Sequence, residues 1–148
     1  MSIAVRYLAR QDRTVAQVER FLTHKGATTS EAREVVARLS QLQYLDDHVY
    51  SNQWIEARLA RQPMGRARLE AELLARGITK SLASQAIREA LRGLNEEILA
   101  RRALSMMKRV GRCVTPAQAM RLLRQRGFED ETVERIMRSF LDRKDVDQ

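Results

Sequence analysis

The chain has 148 residues, 44% hydrophobic and 31% charged, the balance of a soluble folded protein rather than of a disordered or membrane-spanning one. Its single cysteine, Cys113, excludes an intrachain disulfide and an all-cysteine metal site, and suits a reducing compartment. A formal net charge of +8, carried by 23 arginines and 4 lysines, points to an anionic partner, because the arginine fork fits phosphate and carboxylate. A GC-rich genome would also exchange lysine for arginine, but it would not create the net charge.

Six glycines, two prolines and 5% aromatics leave little for hairpins, and apolar residues recur at helical spacing throughout. The first predicted helix spans about 2–11, where Ile3, Val5, Leu8 and Ala9 alternate with Arg6 and Arg10. It lacks the unbroken apolar stretch of a secretory signal. The second covers about 14–25, with Val15, Val18 and Leu22 on one face and Thr14 and Gln17 in a capping-box pattern. Thr28 and Glu31 form the same pattern before the third, about 30–42, which aligns Val35, Val36, Leu39 and Leu42. Asp46 and Asp47 place caps and acidic charge at the start of the fourth, about 46–61, with Tyr50, Trp54 and Ala57 on one face. The fifth covers about 65–76 with Leu69 and Leu73, and the sixth about 80–92 with Leu82, Ala86, Ile87 and Ala90. Asn95, Glu96 and Glu97 open the seventh, about 95–110, with Leu99, Ala103 and Met106. Thr115, Pro116 and Gln118 open the eighth, about 115–126, with proline at the first helical position. The ninth covers about 130–142 with Val133, Ile136, Met137 and Phe140, and a polar tail that frays follows over 143–148.

Gly26, Gly77 and Gly127 stand 51 and 50 residues apart, each preceded by a basic residue (Lys25, Arg76, Arg126) and, four back, by leucine (Leu22, Leu73, Leu123). An apolar residue follows each: Ala27, Ile78, Phe128. A fixed period of this length marks stacked supersecondary units, and the glycines read as left-handed helix stops. The fold class is therefore all-α, an elongated, curved array of three tandem three-helix units: 1–45, 46–93 and 94–142, forming one elongated domain. Charge divides unevenly over it. Residues 58–92 hold eight basic and three acidic groups, and 93–128 hold eight and two, whereas 46–57 and 129–148 are acidic.

No enzyme constellation emerges, and no cofactor or metal is expected. His24 and His48 lack the spacing to share a metal with Cys113, and Asp46 and Asp47 have no third ligand nearby in sequence. Gly65 and Gly111 stand alone rather than in a phosphate-cradling loop. Tyr44 and Leu45 read as packing, with Trp54 also structural.

The phrase Tyr44-Leu45-Asp46-Asp47, followed by a basic helix from Trp54 to Arg61, and then Gly65 and Arg68-Leu69 through Leu73, Arg76, Gly77 and Ile78, resembles the RecX family in order and separation. Arg121 to Phe128 looks like that family's closing repeat, so the likeness runs from about Val5 to Phe140. One departure is Gln43, which stands where many relatives have glycine before the aromatic. The resemblance implies a cytoplasmic, non-enzymatic regulator of the RecA recombinase, acting in DNA recombination, repair and the SOS response. Such proteins lie along the groove of the RecA–DNA filament, limit its extension, ATPase and strand exchange, and in some cases bind single- or double-stranded DNA weakly. A monomer without membrane contact is expected. The candidate partner-binding residues are Arg61, Arg66, Arg68, Arg76, Arg101, Arg102, Lys108, Arg109, Arg112, Arg121, Arg124 and Arg126. The alternative is a nonspecific nucleic-acid-binding helical array; a helical adaptor for an unrelated acidic protein is a third reading.

Overall fold

The computed structural model describes residues 1–109 and 115–146, with side chains over 1–108 and 115–142. Among them are nine α-helices and no strand: α1 (Ser2–Arg10), α2 (Val15–His24), α3 (Thr29–Gln41), α4 (Asp47–Arg61), α5 (Arg66–Ala75), α6 (Lys80–Ala90), α7 (Glu96–Arg109), α8 (Pro116–Gln125) and α9 (Asp130–Val146). The helix starts follow the capping residues. Thr14 and Thr115 form complete capping boxes with Gln17 and Gln118. Asp46 accepts from the His48 and Val49 amides, and Asn95 from the Ile98 amide.

The repeated phrase closes α2, α5 and α8 in one way. Ala27, Ile78 and Phe128 donate their amides to the carbonyls of Leu22, Leu73 and Leu123, while Gly26, Gly77 and Gly127 donate to Thr23, Leu74 and Arg124. This is the Schellman closure, with a left-handed residue after the C-cap and an apolar contact beyond it. The leucine of the phrase is thus both the carbonyl acceptor and a buried core residue.

In the second and third groups the third helix is the common partner, α6 packing on α4 and α5 and α9 on α7 and α8, whereas in the first group α2 takes that place, against α1 and α3. The cores divide unevenly. Ala4, Val18, Leu22, Val36, Leu39 and Leu45 form a small core of their own. The apolar residues from Ile55 to Met137 form one continuous core, so α4–α6 and α7–α9 are welded by burial. The accessible surface, 9981 Å², exceeds the roughly 7,800 Å² expected of a compact protein of this mass, as an extended array requires.

Between groups, the second helices meet end to end. At the first joint, the Thr14 hydroxyl donates to the Arg76 carbonyl at 2.7 Å, and Ala16 packs against Gly77 with no room for a Cβ. The Val15 amide donates to Asp47 Oδ1 at 2.9 Å. At the second joint, the Gly65 amide donates to the Arg126 carbonyl at 2.7 Å and the Ala67 amide to the Gly127 carbonyl at 3.2 Å. Gly127 lies against Arg68, and the Arg66 amide donates to Glu96 Oε1 at 2.7 Å. In both, unpaired amides or a capping hydroxyl at a helix start meet unpaired carbonyls at a helix end, and a carboxylate from the next group's first helix takes the first amide.

Several expectations are corrected by this geometry. Tyr44 is 60% exposed rather than packed. Asp47 does not cap its own helix: it reaches across to Val15. Thr28 makes only half a capping box, because Glu31 Oε1 accepts from the Thr28 hydroxyl instead of the backbone amide. Gly65 is not incidental, since a Cβ there would meet the Gly127 carbonyl. The last helix continues past 142 to Val146, so the backbone there is helical where a frayed tail is expected. Gln43 adopts φ 63°, the one non-glycine residue with positive φ among those described.

Three outcomes follow for stability. Gly26 has open space around it, so Gly26→Ala should cost only the left-handed penalty, about 1–2 kcal/mol. Gly77→Ala and Gly127→Ala add a collision worth about 1–3 kcal/mol more, and thermal melts should rank them well below Gly26→Ala. Gln43→Gly should match or exceed wild type, and Gln43→Val should lose about 1–2 kcal/mol, in chemical denaturation. Burial raises the Asp47 carboxyl above its ordinary value, the Val15 amide lowers it, and Asp46 raises it further. A raised carboxyl binds its proton more tightly folded than unfolded, so wild type gains stability as pH falls through that elevated range. Asp47→Asn, which keeps an acceptor for Val15, should be at least as stable at pH 7, and its advantage should vanish in acid.

Candidate anion-binding cleft

Helices α4 and α5 both pack on α6, and their long side chains meet across the cleft between them. Arg58 and Arg61 are one turn apart on α4, and Arg68 and Glu72 on α5 and Arg76 at its C-cap follow at intervals of four, so each set shares a helix face. With Trp54, Ala71 and Ala75 they line a cleft of about 450 Å³.

Glu72 is its anionic centre. Arg58 donates from Nε to Oε2 and from Nη2 to Oε1, both at 3.2 Å, and Arg68 donates from Nε to Oε1 at 3.3 Å. The side chains stay partly open to solvent, Arg58 at 28%, Glu72 at 21% and Arg68 at 46%. Burial pushes the Glu72 carboxyl up, but the hydrogen bonds and charges of Arg58 and Arg68 outweigh it and hold it below its usual value. Arg76 stacks its guanidinium on the Trp54 ring, 4.9 Å from the centroid, and donates to the Glu72 carbonyl.

A fifth arginine joins from the next group. Arg126 sits at the end of α8, where burial, followed by the like charges of Arg68 and Arg58, lowers its pKa. It reaches the Pro63 carbonyl, and the Gln62 amide oxygen, turned toward it, accepts from Nε at 2.8 Å. Arg68 also donates to the Gln125 carbonyl at 2.9 Å. Two guanidinium groups, of Arg58 and Arg68, thus pair with one carboxylate, and three more, of Arg61, Arg76 and Arg126, stand around them without reaching it. Repulsion among like charges at such short range is relieved by an added anion, and arginine presents its donors in the planar fork that phosphate and carboxylate accept.

The expected basic residues do not all share this place. Arg61, Arg68 and Arg76 line the cleft and Arg126 adjoins it, whereas the Arg66 side chain is exposed at the start of α5. Arg101 is paired with Glu97 on α7, Lys108 faces the Phe140 ring, and Arg102 and Arg121 are exposed elsewhere. Arg124 lines a separate hollow with Asp130, Glu134 and Arg138, where acidic groups offset it. The Arg109 side chain and Arg112 lie outside the described residues, as does Cys113. Sequence reasoning missed Arg58, whose four-residue spacing from Trp54 and three from Arg61 was the available signal. No group of three histidine, cysteine, aspartate or glutamate side chains placed to hold a metal exists among the described residues, and none of their helices is long and apolar enough to cross a membrane.

Comparison with known proteins agrees with this architecture. Residues 1–39 match the family description "RecX, first three-helix domain", and residues 46–87 match "RecX, second three-helix domain". The "Regulatory protein RecX" of Treponema pallidum (strain Nichols) is 30% identical over 135 residues, covering 91% of this chain and 81% of that protein. The "Regulatory protein RecX" of Pelodictyon phaeoclathratiforme is 25% identical over 138 residues, covering 93% and 86%. Among solved structures, the crystal structure of RecX from Lactobacillus salivarius superposes with a TM-score of 0.74 at 19% identity, covering 93% of this chain and 92% of that one.

Glu72→Gln should remove the internal counter-charge and release Arg58 and Arg68. Affinity for heparin or a short single-stranded oligonucleotide should rise about three- to tenfold at low salt. The log–log salt slope should steepen by about 0.7–0.9 for each phosphate gained. Glu70→Gln, with the same change in net charge outside the cleft, is the control, and an equal rise in both would assign the effect to net charge alone.

Proposed function

The chain belongs to the RecX family, and from that premise we propose that it is a non-enzymatic regulator of the RecA recombinase, seated along the groove of the RecA–DNA filament through its arginine cleft. There it limits filament extension, ATP hydrolysis and strand exchange, acting in the cytoplasm on recombination, repair and the SOS response. The observation that carries this reading is the gathering of Arg58, Arg61, Arg68, Arg76 and Arg126 in and beside one cleft whose single carboxylate, Glu72, pairs with only two of them. A filament groove offers acidic protein surface and exposed phosphate, the two groups that an arginine cluster recognises. An extended array touches more than one filament subunit at a time, and linked contacts raise the effective concentration of each.

The other basic side chains, Arg66, Arg101, Arg102, Lys108, Arg109, Arg112, Arg121 and Arg124, act on this reading as a diffuse positive field that speeds encounter. Plain nonspecific nucleic-acid binding is the weaker reading, because the Trp54 face that would stack a base is already covered by Arg76.

The test is ATP hydrolysis by RecA on single-stranded DNA. Added wild-type protein should suppress it, and Arg61→Glu, at an exposed position on the cleft rim, should raise the half-inhibitory concentration about three- to tenfold, the range for a reversed contact charge at about 0.7–1.4 kcal/mol. Absence of inhibition at excess protein would reject the proposal. Loss of RecA activity only in proportion to DNA sequestration would favour the nucleic-acid reading.

A further inference from the structure

The end-to-end joint occurs twice inside the chain, and its two halves occur a third time without a partner among the described residues. Thr14, Gly65 and Thr115 precede α2, α5 and α8 at spacings of 51 and 50, the same spacings as Gly26, Gly77 and Gly127. Thr14 and Gly65 are consumed by the Arg76–Gly77 and Arg126–Gly127 turns. Thr14 is fully buried there. At the two ends of the series the equivalents are open. Thr115 and Ala117 at the start of α8 are exposed, and nothing lies within 4 Å of the Cβ position of Gly26.

From this repetition we propose that a second copy of this chain docks head to tail, the start of α8 in one molecule seating on the Lys25–Gly26 turn of the next. The Thr115 hydroxyl takes the place of Thr14 and donates to the Lys25 carbonyl, and Ala117 takes the place of Ala16 against the glycine. The Thr115 capping box already holds the conformation that Thr14 has in the first joint. The one internal bond that cannot recur is lost from both sides together. Pro116 has no amide hydrogen where Val15 and Arg66 donate, and Ser2, at the first position of α1, has no carboxylate where Asp47 and Glu96 accept. Docking therefore leaves no amide unpaired there. The contact is heterologous, so it joins copies in series, as an open chain or a ring, rather than as an isologous dimer.

The test uses Lys25→Cys with Ala117→Cys in a Cys113→Ser chain, treated with a short bismaleimide. Both altered positions are exposed, so folding is preserved. A ladder of dimers, trimers and higher species that requires both cysteines is expected. A control pair at two other exposed positions, Arg33→Cys with Arg121→Cys, should give at least tenfold less. Sedimentation of the otherwise unaltered protein should show mass rising with concentration, and Ala117→Trp, which fills the glycine contact, should remove the rise. A cross-linked monomer, dimers alone, or equal ladders from both pairs would overturn the proposal.

Discussion

The structure depends on one contact made twice: the start of one helix set against the end of the next across a glycine too close for a side chain. Helix ends are where an α-helix leaves its amides and carbonyls unpaired, and water normally satisfies them. Here α2 meets α5 and α5 meets α8, so each end completes the other, and the partial charges of the two termini attract. The approach works only because Gly77 and Gly127 combine a left-handed backbone with an absent Cβ. Gly26 needs the first property alone.

That contact also sets what the hydrophobic core has to do. The α1–α3 group has its own small core and reaches α4–α6 through a polar joint, Thr14 to Arg76 and Val15 to Asp47. The α4–α9 segment shares a single larger core, with its polar joint laid over continuous burial. The two halves of the molecule thus rest on different physics. One junction is held by a few directional bonds, each worth about 1 kcal/mol, and the other by apolar area as well.

The second joint brings a further arginine to the cleft. Bringing Gly127 onto Arg68 carries Arg126 toward Arg58 and Arg68, which share Glu72. A cluster of like charges would be costly in isolation, but here the backbone contact enforces it, and Glu72, Gln62 and the Gln125 and Pro63 carbonyls partly compensate. Structural spacing and the charge that would engage a partner come from the same few residues.

The sequence by itself determined the all-α class, the helix starts at Thr14, Asp46, Asn95 and Thr115, and the three closures at Gly26, Gly77 and Gly127, because capping, periodicity and left-handed turns are local and leave a local signature. It also carried the motifs of the family to which the chain belongs. Only the tertiary structure decided that Gly65 is a contact and not a spacer, that Asp47 serves α2 and not α4, and that Tyr44 faces solvent. It alone brought Arg126 beside the cleft that Arg58 lines, 68 residues away in the chain, while leaving Arg101, Arg121 and Arg124 elsewhere. Each of these depends on which helix end meets which. That pairing is set by the fit of surfaces distant in the chain, and no window along the sequence contains both sides of it.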